Sequence, residues 1–160
     1  MAESLEVFSG DNKQEQYKTL YSQLVAMLDG ESDMIANMAN VAAAIHMTFN
    51  HLWVGFYRVI DSEYLVLGPF QGPIACTRIR RGKGVCGMTW ETGLTQVVPD
   101  VNAFSGHIAC SSLSQSEIVV PVFQKGKITG VLDIDSVSLG TFDIVDKMWL
   151  ENITLLLDKY

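Results

Sequence analysis

The sequence predicts an α+β domain, with a central, mainly antiparallel sheet of about six strands and the N- and C-terminal helices packed on one face. Three observations predict it. Apolar residues recur at helical spacing near both ends of the chain, whereas the middle changes to strand-like stretches rich in aromatic and β-branched residues. Short turns marked by glycine or proline join those stretches as hairpins, which favours antiparallel pairing. The 160 residues, 48% of them hydrophobic, suffice for one core, so one domain is expected over 1–160 after a polar lead-in at 1–12.

Tyr17, Leu20, Tyr21, Leu24, Met27 and Leu28 form one apolar helical stripe, and Gly30 ends it. A second helix begins at Ser32 or Asp33, either of which can cap free amides, and its stripe is Met34, Ile35, Met38, Val41, Ala42 and Ile45. Its methionines, with Met47, are read as adaptable core filler and not as a metal box. Trp53 to Ile60 carries apolar residues on both alternating faces, the pattern of a strand covered on both sides. Asp61-Ser62 turns the chain into a partner strand from Tyr64 to Leu67, which Gly68-Pro69 should stop. A third strand is expected from Gln71 to Ile79, carrying Cys76. The basic loop Arg80 to Gly84 leads to a short helix from Val85 to Glu91, ended by Gly93, and Thr95 to Val98 is a brief strand. Asn102 to Ser116 is too polar and irregular for a regular element, and is expected to fold over a site as a loop. Glu117 to Phe123 and Ile128 to Asp135 form a hairpin through Gln124-Lys-Gly-Lys127, where glycine accepts positive φ. The last helix shows Phe142, Val145, Trp149, Ile153, Leu156 and Leu157 on one stripe, with Asp143 and Asp146 favourably placed in its first turn.

Charge narrows the function. Eleven basic against eighteen acidic residues give a net charge of −7, which repels phosphate backbones and anionic lipid alike. Nucleic acid and membrane are therefore excluded as expected partners. The acidic start lacks the basic residues of a signal peptide, and no apolar run approaches the ~20 residues that span a bilayer, so a cytoplasmic protein is expected. Three cysteines in a reducing compartment are thiols with a chemical use, or buried hydrophobes, before they are structural disulfides.

All three cysteines fall between Gly68 and Ser136, and their segments are expected to converge on one redox pocket. Cys110 follows His107 in a polar loop, where a nearby donor or imidazolium lowers the thiol pKa and favours the attacking thiolate. Cys76 and Cys86 lie ten positions apart across a glycine-rich loop, which is neither a C-x-x-C redox pair nor a zinc-ligand pair. A zinc site of Cys76, Cys86, Cys110 and His107 is the weaker alternative to a nucleophile with a resolving thiol. Asp133 and Asp135 leave one face of a strand about 7 Å apart, with Leu132 and Ile134 on the other. Glu117 begins the adjacent strand and can reach the same face. Solvation would make these acids unremarkable; buried together, they need a proton or a cation, which a ligand ammonium supplies. Trp53 and Tyr57 also share a face, either as a packed core pair or as an aromatic wall for a polarised sulfur, and Gly55 between them leaves room beside the backbone.

Seven ordered blocks now become specific: Gly68-Pro-Phe-Gln-Gly-Pro73, Ala75-Cys76, Gly82-Lys-Gly-Val-Cys-Gly87, Val98-Pro-Asp-Val101, Gly106-His-Ile-Ala-Cys110, Ser116-Glu-Ile-Val-Val-Pro121 and Gly130-Val-Leu-Asp-Ile-Asp-Ser136. Together they closely resemble the free methionine-R-sulfoxide reductases, enzymes of the GAF fold, over about Trp53 to Glu151. The resemblance implies thiol-dependent reduction of free L-methionine (R)-S-oxide, with thioredoxin recycling the enzyme under oxidative stress and no metal or organic cofactor. It implies that Cys110 attacks, Cys76 is the principal resolving thiol, and Cys86 is auxiliary. Glu117, Asp133 and Asp135 match the acids of the substrate pocket, Trp53 and Tyr57 its aromatic contacts, and backbone amides from Ile108 through Ala109 to Cys110 are candidates for the substrate carboxylate. Two departures concern the same loop: Ser105 stands where proline is expected, and Ser111 where an acid is expected. GAF domains commonly pair through terminal helices, so a homodimer is compatible with the resemblance. The rival reading is a GAF sensor that binds a small ligand, such as a cyclic nucleotide, without turnover; with the domain filling the chain, the stand-alone enzyme is preferred.

Overall fold

A computed structural model describes residues 4–7, 10, 12–106, 108 and 111–159. His107, Ala109 and Cys110 therefore lie outside the described residues. Two N-terminal helices, α1 (Lys13–Met27) and α2 (Met34–Phe49), precede strands β1 (Trp53–Val59), β2 (Tyr64–Gln71) and β3 (Arg78–Arg80). Helix α3 (Gly84–Thr92) leads to β4 (Gln96–Val98), the hairpin of β5 (Ser116–Gln124) and β6 (Lys127–Ser136), and helix α4 (Ile144–Leu155). The sheet order is β3-β2-β1-β6-β5-β4, antiparallel at every pairing.

One face of this sheet meets α1, α2 and α4. Val54 and Phe56 of β1, Ile118, Val120 and Val122 of β5, and Leu132 and Ile134 of β6 bury against Leu20, Leu24, Val41, Ile45, Leu150 and Ile153. Each such side chain, fully buried, contributes roughly 1.5–3 kcal/mol. The ends of the chain are fastened together by charge: Lys13 Nζ meets Asp143 at 2.8 Å and Asp146 at 2.5 Å, and the buried Tyr17 hydroxyl donates to Asp146 Oδ1 at 2.9 Å. Asp143 is the N-cap of α4 in a reciprocal capping box with Asp146, and Asp33 caps α2.

The opposite face is covered by α3. Val85, Cys86 and Trp90 pack there with Trp53, Tyr57, Leu65, Val119 and Val131. The sheet thus lies between two layers, and the strand residues alternate between a mainly apolar side and the side that holds the acids. The β5–β6 turn uses Lys125 at φ 50 and Gly126 at φ 77, the left-handed pair that a two-residue hairpin requires. Gly130 answers a different constraint: a Cβ there would stand 2.5 Å from the Tyr57 carbonyl oxygen, so glycine permits the close approach of β6 to β1.

Two strand boundaries differ from expectation. Strand β2 does not stop at Gly68-Pro69 but continues to Gln71, and the expected third strand from Gln71 to Ile79 shrinks to Arg78–Arg80. The reason is a bulge. Gly55 pairs with Phe70 and Tyr57 with Leu67, so Gly68 and Pro69 together oppose Phe56, and the proline sits where a ladder hydrogen bond is already interrupted. Cys76 consequently lies in a loop between β2 and β3 and not within a strand.

Candidate active site

The acids assemble by cross-strand register. Glu117 on β5 pairs directly with Asp135 on β6, while Asp133 pairs with Val119; on the other side of β6, Asp135 faces Trp53 and Asp133 faces Gly55 of β1. Their alternation with Leu132 and Ile134 turns all three carboxylates away from the helical core. They line one pocket with Trp53, Tyr57 and Cys86, and its empty space, mouth included, is about 560 Å³.

These acids are not a solvated strand face. Glu117 is 6% and Asp133 7% exposed. Burial, then the charges of Asp133 and Asp135, push Glu117 well above the usual carboxylate range. Burial and the Asp135 charge raise Asp133 likewise, opposed by hydrogen bonds from Cys86 and Glu117. Burial lifts Asp135 to about 6, and a hydrogen bond from Ser114 opposes that rise. The Ser114 hydroxyl donates to Asp135 Oδ1. Asp133 is hydrogen-bonded with both Cys86 and Glu117, and because burial and like charge raise both acids, the Glu117–Asp133 pair shares a proton. Asp133 Oδ1 is buried without a hydrogen-bond partner among the described residues.

The aromatic pair does two jobs. Trp53 stacks on Tyr57 at 5.8 Å between ring centroids and on Phe70 at 5.3 Å, forming one wall of the pocket. Its indole also fills the space over Gly55, where a Cβ would lie 2.4 Å from the ring, so the room expected there for a ligand is taken by Trp53 itself. At their polar ends, Trp53 Nε1 donates to the Pro73 carbonyl at 3.1 Å and the Tyr57 hydroxyl to the Cys76 carbonyl at 3.0 Å. The aromatic wall thereby holds the loop that carries Cys76 over the pocket. Burial and the neighbouring acids raise the Tyr57 phenol, which keeps it a donor.

The cysteines separate by state. Cys76 is disulfide-bonded, whereas Cys86, in the first turn of α3, is a free buried thiol. Burial, then the charges of Asp133 and Glu117, push the Cys86 thiol well above its usual range. A disulfide sulfur is not a thiolate ligand, so in this state Cys76 does not complete the zinc set read from the sequence. The donors that do lie together are Cys86, Glu117 and Asp133. Ile108 lines the pocket and packs against α3, its side chain 3.3 Å from the position of a Cβ on Gly84. Ala109 and Cys110, expected beside it, are outside the described residues.

Sequence reasoning missed Ser114, Ile74 and Ile79, all of which line the pocket. Ser114 is one of several serines in a polar loop, and nothing in its spacing separates it from its neighbours. A buried serine within reach of a carboxylate is visible only once β5 and β6 are in register.

The comparisons with known proteins fit this geometry. The GAF domain family model matches residues 24–156. GAF domain-containing protein A of Dictyostelium discoideum is 56% identical over 159 residues, covering 99% of this chain and all of that protein. The free methionine-R-sulfoxide reductase of Saccharomyces cerevisiae is 42% identical over 166 residues, covering 99% of this chain and 92% of its own. The X-ray structure of free methionine-R-sulfoxide reductase from Neisseria meningitidis in complex with its substrate superposes with a TM-score of 0.93 at 48% identity, over 98% of this chain and 95% of that one. With the GAF model matching most of the chain and the yeast reductase 42% identical over 99% of it, the chain belongs to the free methionine-R-sulfoxide reductases, oxidoreductases built on a GAF domain.

Proposed function

We propose that this pocket reduces free L-methionine (R)-S-oxide to L-methionine, with Cys110 as the attacking thiol and Cys76 as its resolving partner. The observation that carries the reading is the buried, unpartnered Asp133 Oδ1 inside a cluster of three acids. A buried carboxylate oxygen without a donor costs stability unless a ligand supplies one, and the substrate's ammonium group does so. The methyl end of the substrate lies along Trp53 and Tyr57. Its carboxylate meets backbone amides of the Ile108 to Cys110 loop and the first turn of α3, whose N-cap residue Lys83 makes no side-chain cap.

The reaction balances on these groups. The Cys110 thiolate attacks the sulfoxide sulfur while Glu117, which shares a proton with Asp133, donates to the oxygen and makes sulfur more electrophilic. Oxygen passes to Cys110, which is oxidised by two electrons to the sulfenic acid as the sulfoxide is reduced to the thioether. Cys76 then attacks that sulfenic acid, expelling water and forming a disulfide. The disulfide state of Cys76, with Cys86 free, supports this pairing. A dithiol protein of the thioredoxin class restores both thiols by exchange. The site acts in the cytoplasm on a small diffusible substrate, and a homodimer is compatible with it. Among the described residues no helix is long and apolar enough to cross a membrane.

The assay follows loss of free R sulfoxide with a dithiol reductant, beside the S epimer and N-acetylmethionine sulfoxide. Only the free R epimer is expected to turn over rapidly. Acetylation removes the charge that pairs with buried carboxylates, an effect of roughly 3–5 kcal/mol or at least about a hundredfold in kcat/KM. Equal rates for the acetylated substrate would overturn the closed acidic pocket. Binding without turnover would make the chain a sensor.

Acidity offers a second check. Asp135 titrates at about 6, so its carboxylate charge is present above that pH and lost below it. Affinity for the substrate ammonium should therefore fall as pH drops through about 6. Calorimetric binding to a Cys110→Ser variant reads this without interference from the attacking thiol, and Asp135→Asn should flatten the transition. A transition that survives Asp135→Asn assigns the proton elsewhere.

A further inference from the structure

We infer that the same pocket binds a zinc-class divalent cation on Cys86, Glu117 and Asp133, as a competitor of the substrate and not as a cofactor. One sulfur and two carboxylate oxygens from these residues lie within 4.8 Å of one another. Small side-chain rotations bring such a set onto an ion bound at about 2.0–2.3 Å. Relative exposures of 3%, 6% and 7% show that none of the three is a surface group. Acids alone would not make a site, but Asp133 Oδ1 is buried and lacks a hydrogen-bond partner among the described residues, and it lines the cavity beside a free thiol.

Donor chemistry selects the metal. Magnesium and calcium take oxygen ligands, whereas a thiolate with two carboxylates suits zinc or cadmium. Water entering from the pocket mouth supplies a fourth ligand. On binding, the Cys86 thiol proton and the proton shared by Glu117 and Asp133 leave to solvent, so the ion meets one thiolate and two carboxylates. Its two positive charges then stand where the substrate ammonium would. Cation binding is independent of the proposed function; the competition rests on it.

The test begins with the oxidised protein, in which Cys76 is in a disulfide and Cys86 is free. Titration with cadmium alone should produce a thiolate-to-cadmium ultraviolet absorption that saturates at about one equivalent, is displaced by zinc, and is absent in Cys86→Ser. Asp133→Asn and Glu117→Gln should each weaken cadmium binding at least about tenfold while circular dichroism stays unchanged. No absorption in the unsubstituted protein, or an undiminished one in Cys86→Ser, overturns the site. Zinc should then raise the apparent Kd for methionine sulfoxide in the reduced Cys110→Ser protein, and should lose that effect when Cys86→Ser is added. Cadmium binding with zinc-independent substrate affinity removes the competition but keeps the site. Failure to bind methionine sulfoxide without any metal counts against the proposed function instead.

Discussion

Replacement of Cys110 by serine is expected to abolish turnover, by at least about a thousandfold, even with a strong small-molecule dithiol as reductant. The other two cysteines cannot take over, for different physical reasons. Cys86 is buried among carboxylates that push its thiol well above the usual range, so at neutral pH it carries a proton and is a poor nucleophile. Cys76 sits in a loop held by the Tyr57 hydroxyl on its carbonyl, and in the proposed reaction it is the resolving thiol. Cys76→Ser should accordingly retain one round of sulfoxide reduction, seen as one equivalent of methionine per protein, and lose efficient recycling by thioredoxin. Cys86→Ser should be the mildest of the three. Substantial steady-state activity in Cys110→Ser would remove that residue from the attacking role, and a larger multiple-turnover defect in Cys86→Ser than in Cys76→Ser would exchange the other two.

The second large effect is expected at Asp133. Asp133→Asn leaves the shape of the site but removes the charge whose free oxygen is offered to the substrate ammonium, and it keeps polar groups that still meet Cys86 and Glu117. Breaking one side of a buried ion pair costs roughly 3–5 kcal/mol, so KM should rise by a factor on the order of a hundred or more. The rate of Cys110 oxidation at saturating substrate should change much less. Glu117→Gln should behave in the opposite way, slowing that saturated step because the proton donor is gone while the amide still occupies its place. Single-turnover kinetics across substrate concentration separate the two. If Glu117→Gln leaves the saturated rate intact, the proton comes from water or from His107.

The acids illustrate what the sequence by itself determined. Two carboxylates two residues apart in a strand must leave the same face, and the apolar Leu132 and Ile134 between and beside them must take the other, because the strand period is local and steric. The helical stripes, a cap at Ser32 or Asp33 and the Gln124–Lys127 turn were legible for the same reason, since each depends on residues within one or two turns of chain, whereas Asp143, expected within the first turn of the last helix, stands just before it as the cap. The seven blocks carried the family. Only the tertiary structure decided the rest. Whether the acids were solvated or buried depended on α3 closing over that face, and so did the contacts that tie them together, Ser114 to Asp135 and Cys86 and Glu117 to Asp133. The bulge that carries β2 through Pro69, and so places Cys76 in a loop pinned by Trp53 and Tyr57, required the register of β1 against β2. These are contacts between residues about twenty positions apart, and cross-strand register is set by the packing of whole faces, which no local window of sequence contains.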